Sequence, residues 1–154
     1  MCKTAGVSTD DASPLNLGLL LFIPYRAMET AVLDALAEAG HDLPLNQARV
    51  FQRIAPEGSR LAQLAQASQL PKQTVGSIVD HLERSGYVRR IPDPTDARAR
   101  LVTITPRGQE LVEISLPVVR ATEAAWRAHL GEQRTVLLRD ALADLREITD
   151  PFRP

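Results

Sequence analysis

Cysteine is almost absent from this chain: Cys2 is the single one among 154 residues. An internal disulfide is therefore excluded, which fits a reducing compartment. Metal-ligand spacing is missing as well. His41, His81 and His129 fall on three separate predicted elements, so they read as surface or packing histidines and no metal is expected. No glycine-rich loop follows a strand to cradle a phosphate, and no carboxylate pair or nucleophile motif stands out. Catalysis and a resident cofactor are accordingly not expected. Long apolar runs are also lacking. The apolar residues 17–23 fall far short of the roughly 20 needed to cross a bilayer, and they have neither a basic lead nor a small-residue cleavage site. The expectation is a cytoplasmic chain with no membrane partner. The polar residues 1–14, which carry Cys2, read as a disordered tail.

What the chain does have is a sharply patterned middle. In residues 60–67, Leu61, Leu64 and Ala65 recur at i, i+3, i+4, the apolar stripe of a short helix with Ser59 placed as its N-cap. Residues 68–70 break the pattern. Pro71 fits the first position of a second helix, where its missing amide hydrogen costs nothing. Val75, Ile78, Val79 and Leu82 then recur at i, i+3, i+4, i+7 as a narrow core stripe, and Gly86 is placed to end that helix in a left-handed cap. Its exposed N-terminal surface carries Lys72, Gln73, Thr74 and Ser77, hydrogen-bonding side chains that can reach base edges in a major groove.

Residues 86–108 follow as two β-like runs. Tyr87, Val88 and Ile91 face Leu101, Val102 and Ile104 across a polar connection, which predicts an antiparallel hairpin. The connection over residues 92–97 reads as longer than a two-residue turn and is stiffened by Pro92 and Pro94, with Arg98 and Arg100 at its tip. Arg-x-Arg on an extended strand directs both side chains to one face, where planar, permanently charged forks suit phosphate oxygens or a narrow minor groove. Two helices joined by a tight turn and followed by a hairpin make a winged helix-turn-helix, with the second helix in the recognition position. Charge agrees. Residues 58–107 carry eight basic and four acidic side chains, a net of +4, whereas the whole chain is at −1. Such asymmetry marks a localised footprint for a polyanion. Lys72, Gln73, Thr74, Ser77, Arg90, Arg98 and Arg100 are the expected contacts to double-stranded DNA.

A winged unit over residues 44–108 leaves the flanks to explain. Met28, Val32, Ala35, Leu36 and Ala39 share one helix face ending near Gly40. Thr105 and Pro106 cap and open another helix, along which lie Leu111, Val112, Leu116, Val119, Trp126 and Leu130. Residues 132–148 form a third, with Leu138, Ala141, Leu142, Leu145 and Ile148 in heptad-like spacing. Apolar stripes at both ends, with little else in the chain to cover them, call for a partner surface. Residues 15–43 and 109–150 therefore read as dimerisation helices of a homodimer, and the fold as mainly α with a small antiparallel β wing. A twofold dimer sets its two recognition helices about one helical turn apart, the geometry of a pseudo-palindromic operator. Pro24 and Pro117 interrupt the flanking helices. Either they kink them, or the first helix starts at Pro24 and residues 15–23 form an arm.

The run from Leu64-Ala65 through Val75, Asp80, Leu82, Gly86 and Arg90, then Asp93-Pro94-Thr95-Asp96-Ala97-Arg98 and Val102-Thr103-Ile104-Thr105-Pro106-Arg107-Gly108, resembles the MarR family of bacterial transcriptional regulators. Its most specific part is Asp-x-x-Asp-x-Arg followed by hydrophobic-Thr-x-x-Gly. The resemblance implies intertwined terminal helices in a dimer, and a wing whose Arg98 enters the minor groove with Asp96 helping to orient it. It also implies small effectors, often aromatic or phenolic acids, near the junction of the dimerisation helices and the winged unit. Tyr25, Arg26, Arg49 and Phe51 are candidates there, either arginine serving as a carboxylate partner or as an interhelical salt-bridge donor. Some relatives sense peroxides through a cysteine early in the first long helix, but residues 19–23 contain none. The expectation is a repressor released by a small molecule that prefers the mismatched state of the dimer. The rival expectation is a winged-helix dimer that binds an acidic protein partner.

Overall fold

Asn16 starts the first helix by accepting a hydrogen bond from the Leu19 amide at 2.9 Å, which satisfies one of the orphan donors of its first turn. In this computed structural model, which describes residues 15–150, the helix α1 runs Leu17–Glu38 and continues through Pro24. Residues 17–23 are thus helical, and they are not a separate arm. Then follow α2 (Leu45–Phe51), β1 (Ser59–Arg60), α3 (Leu61–Ser68), α4 (Lys72–Arg84), β2 (Val88–Asp93), β3 (Asp96–Ile104), α5 (Pro106–Leu130) and α6 (Glu132–Thr149). Pro117 lies inside α5 without ending it. Each internal proline leaves one carbonyl four residues earlier without its amide partner. The expected tail over residues 1–14, with Cys2, lies outside the described residues.

The core sits under α4. Its predicted stripe, Val75, Ile78, Val79 and Leu82, is buried in full and meets Leu64 of α3, Val50 of α2, Val88 and Val102 of the sheet, Leu36 of α1 and Leu111 of α5. Burying each such side chain contributes roughly 1.5–3 kcal/mol. The three strands form one antiparallel sheet in the order β1-β3-β2, with Ser59 opposite Val102 and Val88 opposite Ile104. After α4, Gly86 turns left-handed at φ 78°, and the Tyr87 amide donates back to the Leu82 carbonyl at 2.9 Å. Thr105 caps α5 by accepting from the Gly108 amide at 3.0 Å. Gly108 itself permits a close approach of α5 to the hairpin: a Cβ there would lie 2.1 Å from the Tyr87 carbonyl oxygen.

The structure corrects several local expectations. Ser59 is not the N-cap of α3; it is paired in β1, its hydroxyl accepts from the Ala55 amide at 3.0 Å, and the cap position belongs to Arg60. Pro71 is the N-cap of α4, one residue before the helix. The wing connection is a two-residue turn after all, Pro94-Thr95, with Asp93 opposite Asp96. The extra length sits within β3. Pro92 pairs with Arg100, so Ala97, Arg98 and Ala99 bulge out between two paired positions. Pro92 has no amide to continue the ladder there, which gives the slip a local cause. Arg98 is therefore on a bulge beside the turn and Arg100 is back in register; neither is at the tip.

Candidate nucleic-acid interface

The outer surface of α4 is set by its inner one. With Val75, Ile78, Val79 and Leu82 held in the core, the helical period leaves Lys72, Gln73, Thr74 and Ser77 exposed on the N-terminal half, as predicted. The next turn differs. Asp80 and Glu83 grip Arg90 of β2: its Nη2 donates to Asp80 at 2.7 Å, its Nη1 pairs with Glu83, and its backbone amide donates to Glu83 at 2.9 Å. Arg90, an expected DNA contact, thus has carboxylate partners within the protein. Its two terminal nitrogens are engaged by carboxylates of α4, so it braces the wing against that helix.

Arg98 and Arg100 are exposed, and among the described residues neither has an ion-pair partner; the same holds for Lys72. The Arg98 bulge is anchored from beneath. Its backbone amide donates to Asp96 Oδ1 at 3.1 Å, so Asp96 orients Arg98 through its main chain. Below lies Asp93, 6 % exposed, whose carboxylate accepts from the Thr95 hydroxyl at 2.7 Å, the Thr95 amide at 2.8 Å and Arg60 Nε at 2.7 Å. These bonds, those from Thr95 foremost, hold its pKa down to about 2. Neither Arg60 nor Asp93 was among the predicted site residues. The Asp-Pro-Thr triplet is a turn signal in which an aspartate bonds its own backbone two residues on, but its distant partner Arg60 carries no local mark.

A cavity of about 500 Å³ opens between α1, α2 and α5, walled by Met28, Val32, Phe51, Leu111 and Val119, with Ile54, Pro56 and Ile104 on the sheet side. Tyr25, Arg49 and Phe51 line it as expected; Arg26 does not. Arg26 lies over the Phe22 ring and 3.7 Å from Glu29. Arg49 grips Glu29 with both prongs, Nε to Oε1 at 2.7 Å and Nη2 to Oε2 at 3.0 Å, and this bond first of all pulls the Glu29 pKa below its usual value. Of the two roles open to Arg49, the interhelical salt bridge is the one seen. Tyr25 donates to the same Glu29 at 3.2 Å, so the polar rim is already hydrogen-bonded. Elsewhere, His41 is a packing residue as read, its Nδ1 at 3.2 Å from the Tyr87 hydroxyl. Among the described residues no group of three or more His, Cys, Asp or Glu side chains could hold a metal, and no helix is long and apolar enough to cross a membrane.

Residues 41–99, from the α1–α2 junction to the wing bulge, match the model of the MarR family. The transcriptional regulator FarR of Neisseria gonorrhoeae is 30% identical over 137 residues, covering 88% of this chain and 91% of that one. The chain belongs to the MarR family. The transcriptional activatory protein BadR of Rhodopseudomonas palustris is 34% identical over 124 residues, 75% of this chain and 71% of BadR. Among solved structures, CouR from Rhodococcus jostii RHA1 bound to p-coumaroyl-CoA superposes with a TM-score of 0.68 at 25% identity, over 90% of this chain and 95% of CouR. As a MarR-family member with this winged-helix architecture, the protein is a transcriptional regulator and not an enzyme.

Proposed function

We propose that the protein is a cytoplasmic homodimer that binds a pseudo-palindromic duplex operator through α4 and the wing, and that a small-molecule effector releases it. The observation that carries the DNA reading is the pairing of two free surfaces: the polar N-terminal half of α4, and a wing whose Arg98 and Arg100 have no protein ion partner among the described residues. Lys72, Gln73, Thr74 and Ser77 enter the major groove, while Arg98 and Arg100 meet phosphate or the minor groove. Dimerisation is supported by surface left uncovered in one protomer. Residues 15–43 and 109–150 supply it: Leu17, Leu20, Phe22 and Ile23 of α1 and Leu138, Leu142, Leu145 and Ile148 of α6 are all at least 40 % exposed. A twofold mate covers them and spaces two winged units, residues 44–108, for two half-sites.

The effector reading rests on the cavity, whose volume suits a drug-sized or aromatic-acid ligand. Its walls take an apolar body, and Tyr25 with the Arg49–Glu29 pair meets a polar end. A ligand that binds better when the two α4 helices are mis-spaced lowers DNA affinity by that difference alone. A dimer lying across a promoter blocks transcription, so a repressor is the reading for an operator placed there. An acidic protein partner is the competing occupant of the basic surface. Fluorescence anisotropy separates them, using a duplex that the unaltered protein selects from a random-sequence library. Affinity is expected to fall steeply with salt as counterions are released, and Arg98→Ala to lose about tenfold or more while the dimer stays intact. Selection of no duplex, or full binding by Arg98→Ala, overturns the DNA reading of the wing.

A further inference from the structure

We infer that Arg60 is a positioning residue for DNA binding, setting the place of Arg98 through the Asp93–Asp96 turn without touching DNA itself. This inference rests on the DNA reading of the wing. Arg60 stands at the junction of β1 and α3, 33 positions before Asp93, so it ties the start of the helix-turn-helix to the far end of the hairpin. Its Nε donates to Asp93 Oδ2 at 2.7 Å, its Nη2 lies 2.6 Å from the same oxygen and 3.4 Å from the Thr95 hydroxyl, and its Nη1 is 3.9 Å from Asp96 Oδ2. Nε and Nη2 are thus committed to the turn, and Nη1 has only the long ion-pair contact to Asp96.

The need for such a tie follows from the hairpin. At the Pro92/Asp93 junction the ladder is interrupted, and Ala97, Arg98 and Ala99 lack paired partners. An irregular two-stranded ribbon end does not hold one shape by strand pairing alone. Here Asp93 closes the turn onto Thr95, Asp96 holds the Arg98 amide at 3.1 Å, and Arg60 fastens Asp93 to the helical body with Asp96 within ion-pair reach at 3.9 Å. Arg98 thus leaves from a fixed base, and fixed geometry is what a groove contact requires. One fork makes this possible: a lysine has the charge but cannot reach Asp93, Thr95 and Asp96 together.

Asp93→Asn gives the test its sign. Removing a negative charge beside a polyanion strengthens binding if charge alone matters, whereas loosening the bulge weakens it. Using the full-length dimer and the library-selected duplex, Arg60→Met and Asp93→Asn are each expected to weaken binding about tenfold. Arg60→Lys should lose about threefold. In an Arg98→Ala background both substitutions should have little further effect, because their influence passes through Arg98. Circular dichroism and sedimentation confirm that each variant is folded and dimeric, and Arg60→Lys carries the test if Arg60→Met is not. Asp93→Asn binding as tightly as the unaltered protein or tighter, or Arg60→Met adding its full loss to that of Arg98→Ala, overturns the assignment while leaving the wing's DNA contact standing. Arg98→Ala binding normally removes both.

Discussion

Helices α4 and α6 both carry apolar stripes at helical spacing, yet one is closed and the other open. Every stripe position of α4 is buried, whereas α6 has no buried residue and its Ile148 is 84 % exposed. Period alone identifies a helix and its sticky face; what covers that face depends on the elements within reach. For α4 these are α2, α3 and the sheet of its own protomer. For α6 the protomer offers mainly one neighbouring helix, α5, and leaves the rest of the stripe open, the surface that the proposed dimer would cover.

Substitutions can separate the two cases. The largest effect is expected at the open stripe: Leu138→Glu with Leu142→Glu should weaken the dimer about a thousandfold, about 4 kcal/mol, in sedimentation. The helical content of the protomer should barely change. Leu82→Ala does the opposite. It opens a cavity in the closed core and should lower unfolding free energy by about 3 kcal/mol in denaturant titration without a direct effect on the interface. Gly108→Ala should cost about 2 kcal/mol in the same titration, because its Cβ meets the Tyr87 carbonyl and α5 must shift away from the sheet. The smallest effect concerns the Asp93 carboxylate. Its pKa in the folded protein is about 2 against 3.8 for the free group, so the unfolded chain binds more protons in that interval and stability falls as pH drops through it. The melting temperature of the unaltered protein should therefore decline more steeply from pH 4 to pH 2 than that of Asp93→Asn, and parallel curves contradict this account of the turn.

Legibility in the sequence followed the same division. The α4 stripe, the Gly86 cap, the Thr105-Pro106 start of α5 and the hairpin strands all follow local periods and capping rules, and the structure places them where those rules put them. Helix α2, only seven residues long, was not anticipated as a separate element, and β1 has two residues and exists only through its pairing with β3. The wing turn reads as longer in the sequence because a three-residue slip in β3 mimics a longer loop, and that slip depends on which residues pair. Among candidate site residues, the exposure of the polar face of α4 and of Arg98 is readable from spacing. The carboxylate partners of Arg90 are not, since they lie seven and ten positions away across a helix–strand junction. Arg60 and Asp93 are farther apart still, and only the folded chain brings them together. Arg49 was readable as a charged group between helices, but its pairing with Glu29 over 20 positions decided its role.

Stoichiometry and spacing on DNA test the central claim most directly. Hydroxyl-radical footprinting on the library-selected duplex, with the complex mass from sedimentation, should show two chains per duplex. Two protected patches should lie about 10 base pairs apart on one face, with minor-groove protection that disappears in Arg98→Ala. One chain per duplex, a single patch, or an unchanged footprint in Arg98→Ala would contradict a dimer that grips its operator with paired recognition helices and wings.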